Sequence, residues 1–395
     1  MTPRTARTAL YGAQFAADPH AHYARLRDRG PLAPVELAPG VDAWLVTDYH
    51  VALEVLRDTD TWTRDPRRWQ ATQPADSPLL PLFGWRPTAL FSDGPAHARY
   101  RQVITDSVGI LEPHLLQRDT TAVAEQLIAE FAGAGKADLL AQYAYRLPLL
   151  ILTSWYGVPD PDIDRISTAM NRSFETSTGA AAAYADLVAV ITEQVADRRT
   201  APRHDLISAF LGHPARLADD EVVRHITLTL MAGHEPTANL IANALLRMLS
   251  DDRYAGSLHS GAMTAHDAVN EVLWNDPPLS NFSPHYPRHE IVFHGTALTP
   301  EQPVLVSYAS ANAQAVLTPA ESESLGGSYA HLAWGAGPHR CPARQPAVLM
   351  AVTAVEYLIS RLTDLRLAVP TADVLWRPGP IHRALVSLPV EFTPL

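Results

Sequence analysis

A single cysteine, Cys341, stands among 395 residues. That scarcity excludes an internal disulfide and any zinc or iron-sulfur site built from several thiolates. It leaves a buried small side chain, a nucleophile or a lone axial metal ligand. Long apolar runs are also missing: no stretch approaches the roughly 20 residues that span a bilayer. The opening MTPRTARTALYGAQFAADP has basic residues but no continuous apolar core, so it lacks the pattern of a secretory signal. Repeats, low-complexity tracts and flexible linkers are absent too. Basic residues are outnumbered, 31 against 42 acidic, for a formal charge of -11. Such a field opposes loose binding to nucleic acid or an acidic membrane, while a local basic patch remains free to dock an acidic protein. The expectation is a soluble cytoplasmic protein.

What is present reads as a packed globular chain, 47% apolar and 18% charged, long enough to enclose a cofactor. Asp18 and Pro19 open a first helix that stops at Gly30, and AWLVTDYHVALEVLRD gives a short strand followed by a helix capped by Asp48. Residues 65 to 95 are rich in Pro and Trp without a clean period, the signature of a long irregular wall. Helices are then expected at 95–108, 115–132, 138–156, 160–174, 178–199 and 205–211. Residues 219 to 251 form a longer, more apolar segment suited to a central helix. A helix at 264–274, short strands in HEIVFHGTALTPEQPVLVSYASAN and a terminal hairpin in WRPGPIHRALVSLPVEF complete the reading.

The stretch HLAWGAGPHRCPARQP sets Gly335, Gly337, His339 and Cys341 in the spacing GxGxHxC, just before the helical run ARQPAVLMAVTAVEYLIS. Glycines permit close approach of a flat bulky group, and a cysteine ahead of a helix has its thiolate favoured by amide N–H groups. This arrangement resembles the heme-binding loop of the cytochrome P450 family, with Trp334 where phenylalanine is usual and Ala343 in place of a customary glycine. The resemblance implies a mainly α fold with small β-sheets, prism-like, with heme b between the central helix and the cysteine-loop helix. It implies one domain over 1–395, with a helix-rich lobe and a smaller N-terminal, sheet-containing lobe. It also implies Cys341 thiolate as the axial ligand and His339 beside a heme propionate. In DGPAHARYRQ, His97 and Arg101 lie four apart; spacing alone suits a solvated face, whereas the family uses such a pair to hold propionates.

AGHEPT, residues 232 to 237, resembles the family's oxygen-side motif. Ala232 and Gly233 are small enough to leave room for dioxygen and substrate. Glu235 matches the acid, and Pro236 stands where a proton-relaying hydroxyl is usual. Proline lacks an N–H for the Ala232 carbonyl, so the helix is expected to kink or open there. Thr237 lies about 100° further round the helix. His234, Glu235 and Thr237 become the candidate catalytic groups, with ordered water or a polar substrate group sharing the proton relay. His234 and Glu235 also fit a solvent-facing pair, and Thr237 an internal hydrogen bond. A second departure is NEVLWNDPP: Glu271 is kept, but Trp274 replaces the arginine of the family's Glu-x-x-Arg. Glu271 should therefore find other donors, become protonated or face water. The combination resembles an unusual actinobacterial branch lacking that arginine. His285 lies near where a propionate-binding arginine is expected, and fits an ordinary loop histidine equally.

From the resemblance follow an oxidoreductase that activates dioxygen, and electrons from separate ferredoxin and ferredoxin reductase proteins. Arg340 and Arg344 beside the cysteine are candidates for a ferredoxin-facing patch. Trp62, Trp69, Phe83 and Trp85 are candidates for an aromatic pocket wall, though each also suits the core. Leu90, Phe91, Met231, Pro236, Leu240 and the region of Phe174 are candidates for an apolar wall. The favoured substrate is an aromatic or cyclic-dipeptide-like natural-product intermediate, hydroxylated or oxidatively coupled through C–C or C–N bonds. A noncatalytic heme-binding or sensing protein and a peroxide-driven oxidase are the alternatives.

Overall fold

Polar caps begin the helices where the sequence places them. Asp18 accepts from the Ala21 N–H at 3.0 Å with Pro19 in the first turn, and Asp48 accepts from the Val51 N–H at 2.9 Å. Thr264 and Asp267 cap reciprocally, at 3.2 and 2.8 Å, to open the helix Ala265–Asn275. The structure, a computed structural model, describes residues 7–173, 179–255, 263–315 and 329–395. Helices dominate, and among the described residues none is long and apolar enough to cross a membrane.

The larger sheet runs in the order β1 (Thr8–Ala9), β2 (Leu32–Ala38), β3 (Val41–Val46), β9 (Val304–Ser307), β6 (Asn281–Pro287) and β4 (Trp62–Thr63). The parallel pairing of Trp44 with Val304 joins the N-terminal chain to the segment that leads into the cysteine loop. β5 (Lys136–Asp138), β10 (Arg366–Leu367) and β11 (Pro389–Glu391) form a second sheet, and β7 (Ile291–Phe293) pairs with β8 (Thr296–Leu298). Two expectations change. The 138–156 segment is β5, a π-helical turn Leu140–Ala144 and a helix Arg146–Trp155. Asp138 accepts from the N–H groups of Leu140 and Leu388, which competes with regular helix at that point. The terminal hairpin reduces to a bridge between Trp376 and Leu385, and β11 pairs instead with β5 and β10. Pro378 and Pro380 supply no N–H to extend the bridge.

The helix Asp219–Ser250 passes through the molecule with most of its second half buried. It packs against Arg146–Trp155, Ala265–Asn275 and the helix that follows the cysteine, Arg344–Arg361. Pro236 does not break it: the flanking residues Glu235, Thr237 and Ala238 are buried, and packing holds the helix through a position that lacks a donor. At the far end Glu271 receives the Arg247 Nε at 2.8 Å and an Arg253 Nη2 at 2.9 Å. Trp274 packs edge-on to His331 at 5.7 Å and 82°. A neutral bridge completes this region. Fully buried Asn312 donates to the Leu273 carbonyl at 3.1 Å and accepts from the Leu332 N–H at 2.8 Å, tying the Glu271 helix to the entrance of the cysteine loop.

Replacing Asn312 by alanine leaves a buried carbonyl and a buried N–H unpaired. Equilibrium denaturant unfolding is expected to lose roughly 2–5 kcal/mol, whereas Arg253→Ala, at an exposed ion pair, loses less than about 1 kcal/mol.

Candidate functional site

The cysteine loop is a chain of backbone bonds with little room for side chains. Gly335 N–H bonds the Leu332 carbonyl at 2.8 Å, Arg340 N–H bonds the Gly337 carbonyl at 3.2 Å, and Cys341 N–H bonds the Trp334 carbonyl at 2.8 Å. Gly335 and Gly337 take φ of 68° and 67°, and a Cβ at 337 would fall on the Leu56 carbonyl oxygen. Glycine is required there for both reasons. The loop delivers Cys341 and Ala343 just ahead of Arg344–Arg361. Burial pushes the Cys341 thiol up, against the opposing influence of the Ala343 N–H, Arg101 and Arg340.

Cys341 lines a cavity of about 290 Å³, whose opposite wall is the central helix. Ala232, Gly233, Pro236, Thr237 and Leu240 all face it, and Ala232 is exposed in mid-helix because it opens on this space. The Thr237 hydroxyl makes no hydrogen bond among the described residues, whereas Thr227 and Thr229 bond carbonyls four residues before them. Leu90, Trp334, Gly335 and Ala343 complete the expected residues that line the cavity beside the sulfur and the helix.

His97, Arg101 and His339 meet at one part of the wall. The His97 and His339 rings lie 4.1 Å apart, and His339 Nε2 is 3.5 Å from Asp93. Arg101 donates to the Arg340 carbonyl, so it also braces the loop. His97 Nε2 is buried without a partner. Two groups that sequence reasoning missed belong here. Arg64 reaches the cavity from just beyond β4 and is 2% exposed. His225, on the central helix, holds the loop carrying Leu90: its Nδ1 donates to the Glu221 carbonyl at 2.7 Å, and its Nε2 accepts from the Ala89 N–H at 3.1 Å. A carbonyl only accepts and an amide N–H only donates, so both bonds together fix the neutral, Nδ1-protonated ring.

Other expected residues lie elsewhere. Trp62 packs edge-on to Phe293 at 5.0 Å, and Trp69 and Phe83 pack together in the core beside the larger sheet. Their flat rings fill the sheet's hydrophobic faces and do not reach the cavity. Trp85 is at the surface under Arg67, Phe91 is buried in a 3₁₀ turn, and Met231 packs on the neighbouring helical core. Phe174 lies outside the described residues. His285 is buried and does not line the cavity, with its Nδ1 on the Ser283 carbonyl at 2.7 Å, although it lies close enough to Arg64, His339 and Asp93 to feel their charges. His234 and Glu235 also leave the cavity. His234 Nε2 donates to the Tyr145 carbonyl at 2.8 Å, and Glu235 pairs with Arg377 and accepts from Asn239 at 3.3 Å. Neither is solvent-facing, at 0% and 2% exposure.

The donor set fits a heme. One soft thiolate candidate faces an apolar slot, a glycine cradle excludes side chains, and two orphaned buried donors, Arg64 Nη1 and His97 Nε2, belong to residues lining the same cavity.

No family model matches the chain. The cytochrome P450 monooxygenase PikC of Streptomyces venezuelae is 30% identical over 392 residues, 96% of this chain and 92% of its own. Nocardicin C N-oxygenase of Nocardia uniformis subsp. tsuyamanensis is 30% identical over 402 residues, 99% of this chain and 100% of its own. Among solved structures, CYP154C4 from Streptomyces sp. ATCC 11861 matches with a TM-score of 0.89 at 28% identity, covering 98% of each chain.

Burial raises the Glu235 carboxyl, but Arg377, His382 and His234 outweigh it and hold the group below its ordinary 4.5. A lowered folded-state value stabilises the fold above pH 4.5, and that contribution fades as pH falls through the lower value. Denaturant unfolding of Glu235→Gln should therefore differ from the parent most above pH 4.5, with the gap closing as the pH is lowered.

Proposed function

Since the chain belongs to the bacterial cytochrome P450 superfamily, resembles its CYP107 and CYP154 members and is a P450 monooxygenase, we propose that it inserts one oxygen atom into an apolar natural-product intermediate. The observation that carries this reading is the meeting of Cys341 with the Ala232–Gly233 face across one apolar cavity. Heme b, held by the Cys341 thiolate, would supply the oxygen activation that no side chain of this protein performs. We further assign the chain to a branch in which Glu-x-x-Trp replaces Glu-x-x-Arg, on the strength of Glu271 and Trp274.

Each wall then has a task. Leu90, Leu228, Leu279 and Phe282 offer carbon surface to a substrate and exclude water from the neighbourhood of the sulfur. The aromatic wall expected from Trp62, Trp69, Phe83 and Trp85 is not part of this cavity, so apolar shape, more than ring stacking, governs the choice of substrate. Thr237 Oγ1 takes the proton-holding role denied to Pro236, with ordered water or a substrate hydroxyl or amide completing the route. Glu235, locked to Arg377 behind the helix, orients that face electrostatically and does not touch the substrate. Electrons come from a ferredoxin and its reductase; exposed Arg340 and half-buried Arg344, beside the cysteine, offer the positive contact. A second reading, oxidative C–C or C–N coupling of an aromatic or cyclic-dipeptide-like substrate, is favoured by Pro236, which removes a hydroxyl from the oxygen side.

Turnover with a ferredoxin pair should give a product heavier by one oxygen; loss of two hydrogens per new bond would instead select coupling. Cys341→Ala should abolish the thiolate signature in the carbon monoxide difference spectrum. In Thr237→Val, product formed per electron consumed should fall roughly tenfold, with hydrogen peroxide rising in its place, and an unchanged yield would remove Thr237 from the route.

A further inference from the structure

Two arginines show what burial demands of a guanidinium. Arg198, 1% exposed, is met by Asp205 at 2.6 Å and by Asp197 and the Gly157 carbonyl. Arg64, 2% exposed, has one side-chain bond, from Nε to the Leu90 carbonyl at 3.3 Å, and its Nη1 is buried with no partner. The nearest acid is committed elsewhere. Asp93 accepts from the Thr63 hydroxyl at 2.5 Å and from the Arg64 backbone N–H at 3.0 Å, and it faces His339 at 3.5 Å. A buried cation without an anion is costly, and the cost vanishes when a carboxylate enters beside it.

The cavity supplies the place for that carboxylate. Arg64 and His97 both line it, and the unpaired nitrogen of each is a donor or can become one by tautomer choice. His285, which the family resemblance puts forward for this task, does not line the cavity and spends its Nδ1 on the Ser283 carbonyl. We propose that Arg64, with His97, binds a carboxylate side chain of the heme, so that the guanidinium missing near position 285 is replaced from the loop after β4. The proposal rests on the heme-thiolate reading above. Burial also lowers the proton affinity of Arg64, in keeping with a site that awaits its counter-charge.

The holoprotein tests it through porphyrin retention, without reference to turnover. Loss of iron protoporphyrin IX to an excess of a scavenging apoprotein is followed by absorbance, and the same is done after exchange with the dimethyl ester, which has no carboxylates. Arg64→Met is expected to speed loss of the diacid roughly tenfold to a hundredfold while leaving loss of the ester near the parent rate. Arg64→Lys, which keeps the charge, should fall between, and serves if the methionine variant does not accumulate. His285→Ala, which leaves Arg64 and His97 in place, should speed loss of the diacid less than Arg64→Met does. Equal acceleration of diacid and ester would make Arg64 a structural residue and overturn the inference, as would no acceleration. If the parent protein holds neither porphyrin, the heme reading fails instead.

Discussion

Everything in this fold answers one requirement: a lone sulfur must sit at a fixed depth opposite a small-residue patch on a long helix. The loop meets it by doing without side chains where backbone must touch backbone, at Gly337 against Leu56. The helix meets it with Ala232 and Gly233. The sheets join the N-terminal chain to the strand that precedes the loop, so that the sulfur is positioned from several directions at once.

Around that axis, charge is distributed unevenly. The cavity wall near His97 holds Arg64 and Arg101 against a single carboxylate, Asp93, while the far side of the central helix buries Glu235 against Arg377. The helix thus stands between an apolar, cation-edged chamber and an ion pair whose carboxylate is buried and whose guanidinium reaches solvent. A substrate entering the chamber meets carbon along most of its length, and of the two central-helix threonines that line it, Thr229 spends its hydroxyl on the His225 carbonyl while Thr237 keeps its own free among the described residues.

Much of this is legible in the sequence. Most helix boundaries follow from local chemistry: a carboxylate at helix starts and apolar residues at helical intervals. The roles of the cysteine loop and of the His97–Arg101 pair are legible only through a family resemblance, since spacing alone puts that pair on a solvated face. The facing of residues 232 to 240 is legible too, from helical geometry alone. At 100° per residue, Ala232, Gly233, Pro236, Thr237 and Leu240 share one arc, and His234 and Glu235 fall outside it on either side. The placement of Trp62 and Arg64 was not legible. TWTRDPRRW contains three arginines and two tryptophans, and which of them turns inward depends on pairing of Trp62 with Pro287, more than 200 residues away. Composition identifies such a segment as a wall without saying which side of it is wet.

Trp274 has a consequence for what its position could tolerate. Glu271, one helical turn before it, serves Arg247 and Arg253, while the space beside His331 is filled by the indole and the tie to the loop runs through the neutral amide of Asn312. An arginine placed at 274 would arrive at a carboxylate already shared by two cations and would vacate an aromatic contact. The position is therefore interlocked with its surroundings: a guanidinium there would gain a free partner only if the cations on Glu271 and the ring beside His331 changed with it.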